Sequence, residues 1–177
     1  MDFGFDHPTA AVAIAWDRDT DTVYVTDIYR RSRESIGVHS LAIRALGGDR
    51  IPVIWPHDGG QHDRNSGMSY AEQYRNMGLR MAAKPFTNPS GDRSVEPGIQ
   101  HMLDRMQTGK LKVFAHLNDW FKEFRVYHRA DGKLVKVNDD LLSATRYAVM
   151  SLRYSESPMM AEQMSTSYEK YDPLAEV

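Results

Sequence analysis

Residues 10–16 (Ala-Ala-Val-Ala-Ile-Ala-Trp) and residues 22–29 (Thr-Val-Tyr-Val-Thr-Asp-Ile-Tyr) are strand-like runs separated by Asp17-Arg18-Asp19-Thr20-Asp21. Small apolar and β-branched residues on either side of a short acidic turn leave little choice but an antiparallel hairpin. Residues 1–5 (Met-Asp-Phe-Gly-Phe) read as a strand end feeding the same sheet. A strand through Asp2 would be cut off immediately before it. Either the chain is a piece that starts there, or Met1 stands in for a residue of a longer protein.

Helical spacing then alternates with short strands. A helix is expected over residues 35–46, closed by Gly47-Gly48, and a proline-bracketed strand over residues 52–55. Residues 57–63 (His-Asp-Gly-Gly-Gln-His-Asp) lack periodicity and read as a loop. Further helices are expected over residues 69–77, from a Ser94 cap to Gln107, and over residues 117–124 with Trp120, Phe121 and Phe124 inward. Residues 111–114 form a short strand, and Asp131-Gly132 turns a hairpin with arms 125–128 and 133–137. Asn138 is expected to cap a last helix over residues 139–154. The pattern is α/β, in one domain over residues 1–154, with residues 155–177 a flexible acidic tail.

Of the 177 residues, 41% are hydrophobic and none is cysteine. Disulfide scaffolds, thiol catalysis and thiolate metal sites are thereby excluded, and an intracellular setting follows. No apolar run approaches the roughly 20 residues of a membrane span, and the first residues lack a signal-peptide pattern. The net charge of −2 hides an uneven distribution: residues 110–153 carry 9 basic and 5 acidic groups, residues 154–177 carry 1 and 5.

Asp2 sits at the end of the first strand, Asp58 just past the strand 52–55, and Asp139 and Asp140 open the last helix. Strand ends and helix N-termini are where α/β sheets gather functional groups. Carboxylates converging there would repel one another unless cations lay among them, and oxygen-only donors suit Mg²⁺ or Mn²⁺. Taken singly, each acid is equally at home as a turn or cap residue. The loop 57–63 is a second candidate: its glycines permit close approach of a ligand, and His57, His62, Asp58 and Asp63 could bind a metal. His7 is turn-like and near Asp2. Lys133, Lys136, Arg129 and Arg146 could follow a phosphate backbone or simply be solvated, and so could Arg30-Arg31-Ser32-Arg33. No Walker-type phosphate loop is present.

Asp-Phe-Gly-Phe-Asp-His-Pro-Thr-Ala-Ala-Val at 2–12, Trp-Pro-His-Asp-Gly-Gly at 55–60 and Asn-Asp-Asp-Leu-Leu-Ser-Ala-Thr-Arg-Tyr-Ala at 138–148 occur in that order. In these motifs the chain resembles the C-terminal nuclease domain of tailed-bacteriophage large terminases, over roughly residues 2–153. The resemblance implies an RNase H-like (RuvC/integrase-like) fold, a mixed five-stranded sheet with its first three strands antiparallel and helices on both faces. It implies a metal-dependent endonuclease that cuts concatemeric viral DNA in the host cytoplasm and is absent from the mature virion. Asp2 and Asp58 would be metal ligands with Asp140 or Asp139, holding two Mg²⁺ or Mn²⁺ ions for hydrolysis of double-stranded DNA. The implied partners are the terminase ATPase domain, which this chain does not contain, the portal and the small terminase subunit.

Two other classes fit parts of the pattern. An actin-like phosphate-binding domain also opens on Asp and Gly, but needs a second glycine-rich loop and about twice the length. A non-catalytic docking module would use the acids as caps. Without the tail the body carries 21 basic and 19 acidic groups. That is a modest attraction for a polyanion, so the domain alone should hold DNA weakly and cut it without sequence preference.

Overall fold

A computed structural model of the chain describes residues 1–62, 67–92, 94–130, 133–135 and 137–152. The expected flexible tail and the Asp131-Gly132 turn lie outside the described residues. The hairpin forms as the sequence requires: β1 (Thr9–Asp17) pairs antiparallel with β2 (Thr22–Arg31). Its register skips Thr26, a bulge at which the Thr26 hydroxyl donates to the Ala13 carbonyl (3.3 Å). β3 (Leu111–Val113) adds in parallel to β2, giving the sheet order β1-β2-β3.

The opposite edge of β1 is extended by bridges instead of ladders. Asp2 bridges antiparallel to Ala10, and the Met1 amino group donates to the Ile54 carbonyl (2.6 Å). Val53 bridges in parallel to Met81. The expected strand 52–55 is thus an extended segment with one bridge, because its bracketing prolines cannot donate to a ladder.

Helices cover both faces. On one lie α1 (Ile36–Ala45) and α2 (Tyr70–Asn76), over a core of Ala11, Ile43, Val53, Trp55, Tyr74 and Leu79. On the other lie α3 (Glu96–Gln107), α4 (Asn118–Val126) and α5 (Asp140–Met150), over Ala10, Val23, Val25, Met102, Trp120, Leu141 and Val149. Adjacent Ala10 and Ala11 feed opposite cores, as the two-residue strand period demands.

Local chemistry sets several helix ends. Ser35 accepts from the Val38 N–H to start α1, and Gly47 at φ +94° closes it. Ser69 and Glu72 form a reciprocal capping box on α2. Three expectations are corrected. Phe124 is 45% exposed, stacked on the outer face of buried Trp120 at 5.3 Å. Helix α3 begins one residue after Val95 with no side-chain cap from Ser94. The small hairpin is shorter than expected, β4 (Arg129–Ala130) with β5 (Lys133–Leu134), because α4 continues through Val126.

Trp120 joins α4 to α5: it is 2% exposed, and its indole N–H donates to Thr145 Oγ1 (2.9 Å). Trp120→Ala should cost about 3–5 kcal/mol through cavity creation. Thermal unfolding checks this, and a loss below roughly 1 kcal/mol would mean the helix pair is held elsewhere.

Candidate metal centre

The opening segment carries Asp2 into the space beside β1. Gly4 makes the turn that follows, where a Cβ would lie 2.3 Å from the His7 carbonyl oxygen. The Thr9 hydroxyl donates to the Gly4 carbonyl (2.7 Å) and clamps the turn. His7 itself is exposed.

Asp58 follows Pro56 in a short 3₁₀ turn (His57–Gly60). The expectation that both loop glycines admit a ligand is corrected. At Gly59 a Cβ would lie 2.2 Å from the Phe3 ring and 2.8 Å from Trp55, so this glycine lets Phe3 pack, whereas Gly60 faces open space. His57 and His62 are exposed, and Asp63 lies outside the described residues.

Asp139 occupies the N-cap position of α5 without capping it, and Asp140 is in the first turn. Asn138, expected as the cap, instead adopts φ +52° and its Oδ1 accepts from Arg30 Nη2 (3.4 Å). The cap comes from α4: Glu123 Oε2 accepts from the N–H groups of Leu141 (2.8 Å) and Leu142 (3.2 Å). Glu123 Oε1 lies 2.9 Å from Arg30 Nε, and Arg30 Nη2 lies 3.1 Å from Asp140 Oδ2. The sequence did carry a signal for Glu123, an acid three residues after Trp120 on the inward side of its helix. For Arg30 it marked only a basic cluster that could meet DNA or be surface; Arg30 turns inward to Glu123 and Asp140 while its neighbours Arg31 and Arg33 are exposed.

These elements bring the four acids together. Burial pushes the Asp2 carboxyl up to about 7, helped by Asp58, Asp140 and Asp139 and opposed by the amino terminus. Asp58 Oδ1 is buried with no hydrogen-bond partner among the described residues. Asp2 and Asp139 line a cleft of about 310 Å³ with His57, Phe86, Arg146 and Tyr147. Burial, with Asp2 next, pushes the Tyr147 hydroxyl up to about 12. Arg146 is 5% exposed, with its guanidinium 4.5 Å from the Tyr147 ring centre and 5.9 Å from that of Phe86.

Oxygen donors, crowded negative charge and an orphaned buried carboxylate oxygen are what a hard divalent cation requires. Among the described residues no three His, Asp or Glu side chains are grouped closely enough to hold a metal ion as they stand, and Asp58, Asp140 and Asp139 act on Asp2 as neighbouring charges. Of the basic candidates, Arg146 is in the cleft wall and Arg129 is on the surface, paired with Glu96. Lys136 lies outside the described residues, and Lys133 is placed by its backbone in β5.

The family described as Terminase RNaseH-like domain matches residues 1–152. The chain belongs to this family. The terminase domain is 41% identical over 156 residues to the large terminase subunit of Salmonella phage P22, covering 88% of this chain and 31% of that protein. It therefore spans about a third of that relative's length. The structure of the P22 large terminase nuclease domain superposes with a TM-score of 0.78 at 41% identity, covering 86% of this chain and 79% of that one. The nuclease domain of the SPP1 large terminase, a structure with bound Mn, has a TM-score of 0.60 at 18% identity, with 86% and 83% covered. The terminase domain thus has the RNase H-like fold, a mixed sheet with helices on both faces. No helix among its described residues is long and apolar enough to cross a membrane.

Gly59→Ala should force Phe3 aside and move the Asp2 segment, at a cost of about 1–3 kcal/mol. Denaturant unfolding checks this, with Gly60→Ala as the control that should be near neutral.

Proposed function

We propose that this terminase domain is a metal-dependent endodeoxyribonuclease of a DNA-packaging terminase, hydrolysing phosphodiester bonds of concatemeric double-stranded DNA. The observation that carries this reading is the half-buried Asp2 carboxylate, pushed up to about 7 by desolvation with the charges of Asp58, Asp140 and Asp139 adding to it. Asp2, Asp58 and Asp140, with Asp139 beside it, would hold Mg²⁺ or Mn²⁺, two ions in our reading. Ions so held supply Lewis acidity toward a phosphoryl oxygen and a water.

The chain's own residues do the rest. Asp2 and Asp139 line the cleft, and Asp58 lies near enough to act on the Asp2 charge. Arg146, packed over the rings of Tyr147 and Phe86 in the cleft wall, would offer a fixed positive charge to a bound phosphate. Lys133, Lys136 and Arg129 would add attraction for the DNA backbone. The wider reading is one nuclease domain over residues 1–154 within a longer protein that also has an ATPase domain. Its partners would be the portal and the small subunit, met in the host cytoplasm. The five-stranded sheet is part of the same reading, with residues 1–3 beside β1 and the extended segment 52–55 beyond them as its further members.

Asp2→Ala and Asp58→Ala should abolish Mn²⁺-dependent nicking of supercoiled plasmid while retaining the wild-type circular dichroism spectrum. Variants that still nick would remove these acids from the chemistry. Because Asp2 must be ionised to bind a cation and its carboxyl titrates about 7, nicking at sub-saturating Mn²⁺ should climb as the pH rises through neutrality. A rate unchanged down to about pH 5 contradicts that role.

A further inference from the structure

Arg30 stands between two carboxylates that differ in what they can do. Its Nε and Nη2 groups both donate to Asp140 Oδ2, at 3.3 and 3.1 Å. Glu123 Oε1 lies closer to Nε, at 2.9 Å, yet makes no directed hydrogen bond and is buried without another partner. Glu123 is 4% exposed and its other oxygen is committed to the first turn of α5. One carboxylate is therefore fixed, with an oxygen that is ion-paired to Arg30 but accepts no hydrogen bond. The other belongs to the acidic cluster and holds the guanidinium.

We propose that Arg30 is a positioning residue that holds Asp140 in the metal-free domain and turns its N–H groups to Glu123 Oε1 when Asp140 turns to a divalent cation. The guanidinium offsets charge among the four acids until then, and Glu123 is the resting place that makes release cheap. Glu123 Oε1, already ion-paired with Arg30 Nε at 2.9 Å but accepting no hydrogen bond, gives the released guanidinium a partner at hand. This inference rests on the metal-centre reading above.

Isothermal titration of the whole chain with Mn²⁺ alone tests it, with no DNA and no cleavage readout. Glu123→Gln keeps an acceptor for the α5 N–H groups but removes the resting place, so Arg30 stays on Asp140. Mn²⁺ affinity should fall by roughly tenfold, as for partners that orient metal ligands. Arg30→Met removes the competitor and should bind Mn²⁺ at least as tightly as wild type. In the Arg30→Met background, Glu123→Gln should change affinity by less than about twofold, and Arg30→Lys should restore sensitivity to Glu123→Gln.

An Arg30→Met variant with weakened affinity overturns the proposal, as does an undiminished Glu123→Gln effect in its background. Both would mark the pair as plain structural support. If Glu123→Gln fails to fold, the comparison of Arg30→Met with wild type still decides. A folded wild-type chain that binds no Mn²⁺ overturns the metal-centre reading itself, and the Arg30 assignment with it.

Discussion

Glu123 is the constraint on which the rest of the site depends. Burying its carboxylate is costly, and burial pushes it up to about 7 despite the N–H donors of Leu142 and Leu141 and the Arg30 charge. The geometry of an ionised acceptor is nonetheless complete on one oxygen, because the first turn of α5 has N–H groups with no partner inside the helix. That match fixes where α5 starts. It thereby fixes Asp139 and Asp140, and it ties the end of β2 to the same point through Arg30.

The remaining acids reach this point from the sheet side. Asp2 is delivered by its bridge to Ala10 and by the Gly4 turn, Asp58 by the short 3₁₀ turn whose Gly59 makes room for Phe3. The result is unfavourable by itself: carboxylates whose charges act on a half-buried carboxylate, and one of them, Asp58, with a buried oxygen that accepts no hydrogen bond. Two independent cores hold it, one on each face of the sheet. Stability spent at a site in this way is what a cation-binding function would repay.

Much of this was legible in the sequence where the cause is local. The period-two runs gave the β1–β2 hairpin, and Ser35, Ser69 and Gly47 marked helix ends through their own backbone chemistry. The acids Asp2, Asp58, Asp139 and Asp140 stood out by their place at element ends, and the motifs joined them to a family. What stayed hidden depends on partners far away in sequence. Asn138 looked like a cap until Glu123 supplied it, and Arg30 looked like surface until Asp140 lay opposite. Gly59 looked like room for a ligand, but that room belongs to Phe3. Phe124 matched the inward face of α4, yet the core there is already filled by Trp120.

The central claim is that these carboxylates form one metal centre. Anomalous scattering from crystals soaked in Mn²⁺ tests it most directly. The account predicts a peak coordinated by Asp2, Asp58 and an acid at the start of α5. A peak held instead by His57 and His62, or a well-diffracting soaked crystal with no peak beside Asp2, would contradict it.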